Sequence, residues 1–191
     1  DVSGVEINNF ADIVKALHQR FEFFNDMGGR LSDHSLLTYH FKEASDEELN
    51  AIVNKGMQNE ALTQDEIDQY LTMLLENLMK LNAEFNWTMQ FHINSNRDLN
   101  RPMFDKIGPD TGYDAVGTQP DIVSHITKLY TKMQDTHDVP KSIFYSLNNN
   151  DWMELATMMG CFQGETVQKL QLGAGWWFND TAEGMDNQLR I

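Results

Sequence analysis

Four short apolar segments constrain the fold of this chain more than any other feature of its sequence. They lie near residues 30–33, 87–93, 142–147 and 169–174, and stretches with helical spacing separate them. Short apolar runs bounded by turn residues are typical of buried strands, and strands that alternate with helices favour a parallel sheet. The sequence therefore predicts an α/β fold built from about four strand-plus-helix units.

Helix signals fill the intervals between these segments. Two capping boxes, Ser45 to Glu48 and Thr63 to Glu66, mark the starts of two helices, because their side chains satisfy the first free N–H groups. The pair Gly28-Gly29 ends an earlier apolar stripe with helical spacing. Helices are therefore predicted over residues 8–27, from 45, from 63 to about 86, between 120 and 140, over 151–159 and from 181 onward.

Polar and aromatic clusters follow each predicted strand. They are Asp33-His34, His92 to Arg97, Asn148 to Asp151 and Trp176 to Asp180. The carboxyl ends of parallel strands meet at one edge of a sheet, and in a barrel of parallel strands the loops at that edge build the active site. We therefore expect these clusters to converge on one site.

The number of predicted strands is half of what a closed barrel needs. A complete (β/α)8 barrel has eight strands and about 250 residues, whereas this chain has 191 residues. We therefore predict a single domain over residues 1–191 that is a partial TIM-type barrel with extra helices. A free half barrel would expose two strand edges, so we expect a homo-oligomer or association with the missing half.

The run from Gly173 to Asp180 has the composition of a pocket wall. Two adjacent tryptophans, Trp176 and Trp177, stand between glycines and an Asn-Asp pair. Glycine permits close approach of the backbone, and tryptophan offers a flat apolar face against which sugar rings pack. An aromatic plug at the end of a strand is the alternative interpretation.

Charge and cysteine content exclude several classes of partner. A formal charge of -15 argues against nucleic acid and against an anionic membrane, because either would need a basic surface. An anionic ligand would need a local positive site, and the stretch from Arg97 to Lys106 is the best candidate. Neither a membrane-spanning apolar run nor a signal-peptide pattern is evident. The single Cys161 indicates a reducing, cytoplasmic compartment, with a buried, inert thiol.

Several motifs occur in an order that resembles the uronate isomerase (glucuronate isomerase) family of the amidohydrolase superfamily. The resemblance begins at about residue 8 and spans essentially the whole chain. Its motifs are Arg30 to His34, Gln90 to Arg97 extended by Ile107 to Asp114, Ser146 to Asp151, and Gly160 to Glu165 leading into the Trp-Trp loop. In the order of that family, the four strands correspond to the fourth to seventh strands of the barrel.

The resemblance implies an aldose-ketose isomerase for hexuronic acids. Such an enzyme would interconvert D-glucuronate with D-fructuronate, or D-galacturonate with D-tagaturonate, by moving a proton between C1 and C2. Relatives use zinc or another divalent metal, bound by a His-x-His pair on the first strand and an aspartate on the last. The sequence contains no His-x-His pair, so no metal ligand is predicted in this chain. The chain alone is therefore expected to lack groups that catalysis needs.

The candidate site residues follow from these motifs. His92, Asp33 and His34 are predicted to be catalytic, although a core histidine at His92 and a turn or cap role for Asp33-His34 are alternatives. Arg97 is predicted to bind the substrate carboxylate through a bidentate contact, with a salt bridge to a neighbouring carboxylate such as Asp98 as the alternative. Trp176 and Trp177 are predicted to line the pocket and contact the substrate.

Two other functions remain open at this point. A non-catalytic domain could keep Arg97 and the Trp-Trp loop and bind an acidic sugar or a protein partner. A metal-dependent hydrolase of the same superfamily is a third possibility, which the isomerase-specific motifs disfavour. The sequence does not distinguish glucuronate from galacturonate and does not assign the catalytic base.

Overall fold

The computed structural model describes residues 2–191, apart from the side chain of Trp177. Its helices are α1 (Phe10–Asp26), α2 (Asp46–Met57), α3 (Gln64–Glu84), α4 (Arg101–Ile107), α5 (Ile122–Asp135), α6 (Trp152–Cys161) and α7 (Ala182–Arg190). Its strands are β1 (Leu31–Leu36), β2 (Thr88–Ile93), β3 (Ser95–Asn96), β4 (Ala115–Val116), β5 (Lys141–Ser146) and β6 (Leu170–Leu172).

The strands form two sheets. A four-stranded parallel sheet has the order β1-β2-β5-β6, and β5 and β6 pair through the register Ser142↔Leu170 to Phe144↔Leu172. The strands β3 and β4 form a separate antiparallel ribbon. The predicted α/β class, with four parallel strands separated by helices, is therefore confirmed.

The two predicted capping boxes set the starts of α2 and α3. Ser45 and Thr63 each accept a hydrogen bond from the backbone N–H of the glutamate three positions later, and each glutamate accepts one in return. These reciprocal bonds satisfy N–H groups that a helix cannot pair internally. Both helix starts therefore follow directly from the sequence.

One compact unit is mainly helical. It comprises the residues before Asp33 and the segments Tyr39–Thr88 and Ser124–Lys141. Phe10, Leu49 and Val53 form one buried cluster within it. Trp87 stacks on Phe21 with ring centroids 4.7 Å apart, and its indole N–H donates to the Asn25 side chain. Apolar burial on the inner faces of α1, α2 and α3 thus stabilises this unit.

A second compact unit holds the segments Asp33–Thr38, Met89–Val123 and Ser142–Ile191. In its sheet, residues of β2 and β5 alternate between buried and half-buried positions. On the buried face, the rings of Phe91 and Phe144 stack with centroids 5.3 Å apart. The half-buried face carries His92 and Tyr145, so strand alternation separates an apolar core face from a polar face.

Two expectations about individual residues are wrong. The first strand continues to Leu36 instead of ending near residue 33, so Asp33 and His34 lie within β1 rather than after it. Cys161 is exposed rather than buried, and its thiol donates to the carbonyl of Thr157. The apolar stripe of α6 is formed by Trp152, Leu155, Met158 and Met159, and residue 161 falls outside it.

None of the helices in the described part of the chain combines the length and the apolar character that crossing a membrane requires.

Candidate active site

Most of the site residues predicted from the sequence line one small cavity. It has a volume of about 340 Å3 and is lined by Asp33, Ser35, His92, Arg97 and Trp176. These residues come from β1, from β2, from the position directly after β3, and from the loop after β6. All of them belong to the second compact unit.

His92 and Asp33 form a hydrogen-bonded pair in this cavity. His92 Nδ1 donates to Asp33 Oδ1 at 2.7 Å, since an ionised carboxylate can only accept. The His92 side chain is 25% exposed, so solvent and a ligand can reach it. With the proton held at Nδ1, the neutral ring presents Nε2 as a proton acceptor.

His34 does not line this cavity. Successive residues of a strand point to opposite faces, and Asp33 and Ser35 occupy the cavity face of β1. The His34 ring instead lies 6.1 Å from the buried ring of Phe91, centroid to centroid. Burial lowers the pKa of His34, and the nearby charge of Asp33 opposes that shift. The structure therefore separates two of the predicted catalytic residues, Asp33 and His34.

Two aromatic side chains hold the His92 ring. Tyr145 stacks on it with centroids 4.6 Å apart and an interplanar angle of 8°. Trp176 meets it edge to face at 4.7 Å and 79°. Burial raises the pKa of the Tyr145 hydroxyl, and the charge of Asp33 adds to that effect. Together these contacts and the Asp33 bond restrict His92 to one orientation.

The position of Tyr145 depends on Gly173. The Gly173 N–H donates to the carbonyl of Phe144 at 2.8 Å, which brings the start of the Trp-Trp loop close to β5. A Cβ atom at residue 173 would collide with the ring of Tyr145. Glycine is therefore required here for close approach rather than for an unusual backbone angle.

Replacing Gly173 with alanine is expected to lower the free energy of unfolding by about 1–3 kcal/mol, because the added methyl must displace the Tyr145 ring or the loop. Chemical denaturation followed by circular dichroism measures this change. Gly164→Ala is a matched control, because a Cβ atom there meets nothing within 4 Å. Equal losses in both variants would contradict the steric account.

Arg97 is held between two carboxylates. It directly follows β3, and Asp114 directly precedes β4, so the pairing of Ser95 with Val116 brings the two side chains together. Arg97 Nη1 donates to Asp114 Oδ2 at 2.9 Å and to Asp110 Oδ1 at 3.4 Å. The alternative interpretation, a salt bridge between Arg97 and a carboxylate of the chain, is thus present in the structure, with Asp114 and Asp110 as partners.

The segment Asn148–Asp151 serves as a turn and as part of a buried polar cluster. The Asn148 side chain caps a short 3-10 turn by accepting from the N–H of Asn150. The Asp151 carboxylate accepts from Ser146 Oγ and from the Asn94 side chain. Burial raises the pKa of Asp151, and these two hydrogen bonds counteract the shift. This cluster joins the ends of β2 and β5.

The loop after β6 contains two adjacent tryptophans, Trp176 and Trp177. Trp176 is half-buried and lines the cavity beside His92. The side chain of Trp177 lies outside the described residues, so its predicted contact with a ligand stays a prediction. Gly175 allows close approach of the Asn179 side chain, because a Cβ atom there would lie 2.5 Å from the amide nitrogen of Asn179.

The described residues do not form a metal site by themselves. Across the part of the chain that the structure describes, no three His, Cys, Asp or Glu side chains come together as ligands. Asp33 and His92 are adjacent donors, but their mutual hydrogen bond engages one atom of each. Catalytic zinc sites generally have three protein ligands. These residues therefore do not fit a divalent metal without further ligands.

Some contacts of the site carried no usable sequence signal. Tyr145 looks like an ordinary strand aromatic, and Asp114 lies too far from Arg97 along the chain to suggest a pair. Asn94 combines a left-handed backbone, with φ 64°, and a side chain bonded to Ser146. Its position directly after a predicted strand is a hint of that backbone conformation, because asparagine tolerates it.

Comparison with known proteins adds independent information. The family model for glucuronate isomerase matches residues 1–191. The curated uronate isomerase of Latilactobacillus sakei is 80% identical over 190 residues, and that of Lactococcus lactis subsp. cremoris is 56% identical over 190 residues. Each match covers 100% of this chain but 40% of the relative. The chain thus spans about two fifths of the length of these relatives.

Solved structures agree with the fold. The uronate isomerase of Thermotoga maritima matches with a TM-score of 0.87 at 28% identity, covering 98% of this chain and 40% of that one. The glucuronate isomerase of Caulobacter crescentus matches with a TM-score of 0.84 at 25% identity, covering 98% and 38%. The prediction of a partial TIM-type barrel is confirmed. On the family match and the identity to curated relatives, the chain belongs to the glucuronate isomerase family.

Proposed function

We propose that this chain supplies part of the active site of a uronate isomerase. The proposed reaction interconverts an aldose and a ketose hexuronic acid, D-glucuronate with D-fructuronate or D-galacturonate with D-tagaturonate. Family membership supports the reaction class. The activity is proposed for a polypeptide of the full length of the relatives, because the chain spans 40% of them.

The observation that carries this proposal is the His92–Asp33 pair in one cavity with Arg97. In the forward direction a base removes the proton from C2 of the aldose and returns it at C1, while a hydroxyl proton passes from O2 to O1. We assign the removal and the return of this carbon-bound proton to His92 Nε2. Asp33 keeps the other ring nitrogen protonated and stabilises the imidazolium that forms.

Arg97 and Trp176 bind the substrate in this proposal. The carboxylate of a hexuronic acid distinguishes it from a neutral sugar, and a guanidinium pairs with a carboxylate through charge-assisted hydrogen bonds. Arg97 is 30% exposed, which leaves it accessible from the cavity. The half-buried face of Trp176 offers apolar contact for the sugar ring. His34 has no part in the proposed reaction, because it lies on the opposite face of β1.

The family implies a divalent metal in the complete enzyme, which would polarise the substrate oxygens. The described residues do not complete a ligand set for it, and the proton transfer assigned to His92 does not depend on it. We further propose a cytoplasmic protein whose edge strands, β1 and β6, pair with other strands of one barrel domain.

Turnover of D-glucuronate, followed by NMR as the appearance of the 2-keto product, tests the proposal. The protein to use is a full-length chimera in which residues 1–191 replace the matching segment of the Latilactobacillus sakei relative. Product formation by the chimera would support the isomerase. Binding of D-glucuronate without turnover, in a chimera as stable as the unmodified relative, would favour a non-catalytic module for an acidic sugar.

A further inference from the structure

We propose that Asp110 is a placeholder carboxylate that occupies Arg97 until the carboxylate of a hexuronic acid displaces it. Asp110 would therefore limit the affinity of the site for its anionic substrate. This inference rests on the proposed function, in which Arg97 binds that carboxylate.

The two carboxylates on Arg97 differ in strength and burial. Asp114 accepts from Nη1 at 2.9 Å and its side chain is 3% exposed. Asp110 accepts from the same nitrogen at 3.4 Å and its side chain is 76% exposed. A distance of 3.4 Å lies beyond the usual range for N–H···O bonds, so the second contact is the weaker.

Asp114 is anchored and cannot leave without a large penalty. Its second oxygen, Oδ1, accepts from the backbone N–H of Asp98 at 2.8 Å. Moving Arg97 away would leave a buried carboxylate without its cationic partner, which is strongly destabilising. Asp110 can instead return to water almost freely, because exposed ion pairs contribute little. An incoming carboxylate therefore replaces Asp110 and leaves Asp114 in place.

The backbone conformation of the loop around Asp110 places this carboxylate beside Arg97. Asp110 has a left-handed backbone with φ 57°, and it lies between Gly108 and Gly112, which also have positive φ angles. Its N–H donates to Asp98 Oδ1 at 3.0 Å, which fixes the turn. Because asparagine tolerates the same backbone conformation, Asp110→Asn removes the charge without disturbing the loop.

The negative charge of the chain makes the two carboxylates on Arg97 unfavourable for binding an anion. With a formal charge of -15, the protein repels anions except where a cation is exposed. Arg97 bears one positive charge and already faces two carboxylates, so an approaching hexuronate meets a local excess of negative charge. Removing Asp110 should therefore strengthen binding of a charged ligand and leave a neutral analogue unaffected.

Isothermal titration of the full-length chimera with D-glucuronate, and with the neutral D-glucuronamide, tests this role. Asp110→Asn is expected to lower the Kd for D-glucuronate about two- to fivefold, the range typical of exposed ion pairs. The Kd for D-glucuronamide should stay unchanged. Asp105→Asn is the matched control, because it removes one exposed charge of the nearby helix α4.

Two results would overturn the inference, and they are distinguishable. If Asp110→Asn binds D-glucuronate no more tightly than Asp105→Asn does, while Arg97→Met weakens binding, the placeholder role is wrong and Arg97 remains the carboxylate ligand. If Arg97→Met leaves the Kd unchanged, both the placeholder and the assignment of Arg97 are wrong. A gain of affinity is informative because damage to the fold would not produce it.

Discussion

Replacing Arg97 with methionine in the full-length chimera is expected to weaken binding of D-glucuronate by roughly 30- to 150-fold, or about 2–3 kcal/mol. Removing one partner of a desolvated charge pair costs about 2–5 kcal/mol, and the lower part of that range applies because Arg97 is 30% exposed. Isothermal titration with D-glucuronate measures the change. Binding of neutral D-glucuronamide should be much less affected, since methionine preserves most of the apolar stem.

Stability must be measured beside affinity, because Arg97→Met also leaves the buried carboxylate of Asp114 without its ion-pair partner. Arg97→Lys keeps the charge while losing the planar guanidinium, so it should fold and bind with an intermediate affinity. Arg101→Met is the matched control, since Arg101 is exposed and lies over the ring of Phe104. An unchanged Kd for D-glucuronate in folded Arg97→Met would remove Arg97 from the substrate site.

The helices and the parallel sheet were predictable because their signals are local. Ser45 and Thr63 fix the starts of α2 and α3 through bonds to residues three positions away. The strand β1 shows where such signals fail. Its run Ser32 to Ser35 is polar and resembles a loop, yet sheet pairing holds it extended to Leu36. Tertiary pairing thus overrides a weak local preference.

Non-local pairing explains what the sequence could not reveal about the site. The ribbon of β3 and β4 has two residues in each strand, too few for any periodic pattern, yet it brings Asp114 to Arg97. The helix α4 between them was missed for a similar reason, because it has 7 residues and no buried face. The choice of Arg97 as a ligand for an anion followed from a motif, whereas its observed partners follow from topology.

The second large effect concerns His92. In the full-length chimera, His92→Asn is expected to lower kcat for D-glucuronate by about 10²–10⁴-fold, the usual contribution of a positioned general base. Asparagine keeps an amide donor near Nδ1 that can still bond Asp33, but it has no group at the position of Nε2. The Michaelis constant should change little, because substrate binding is assigned to Arg97 and Trp176. Single-turnover kinetics with NMR detection separates the two parameters.

Two further histidines make this test selective. His137→Asn changes an exposed histidine whose φ of 60° suits asparagine, and it should leave kcat unchanged. His34→Asn should leave kcat largely intact but lower stability, because that ring packs on Phe91. Loss of turnover in His34→Asn, with His92→Asn fully active, would reverse the assignment. His34 and His92 lie on the neighbouring strands β1 and β2, but on opposite faces of the sheet. Only His92 shares the cavity with Arg97, so only His92 can act on a substrate that Arg97 binds there.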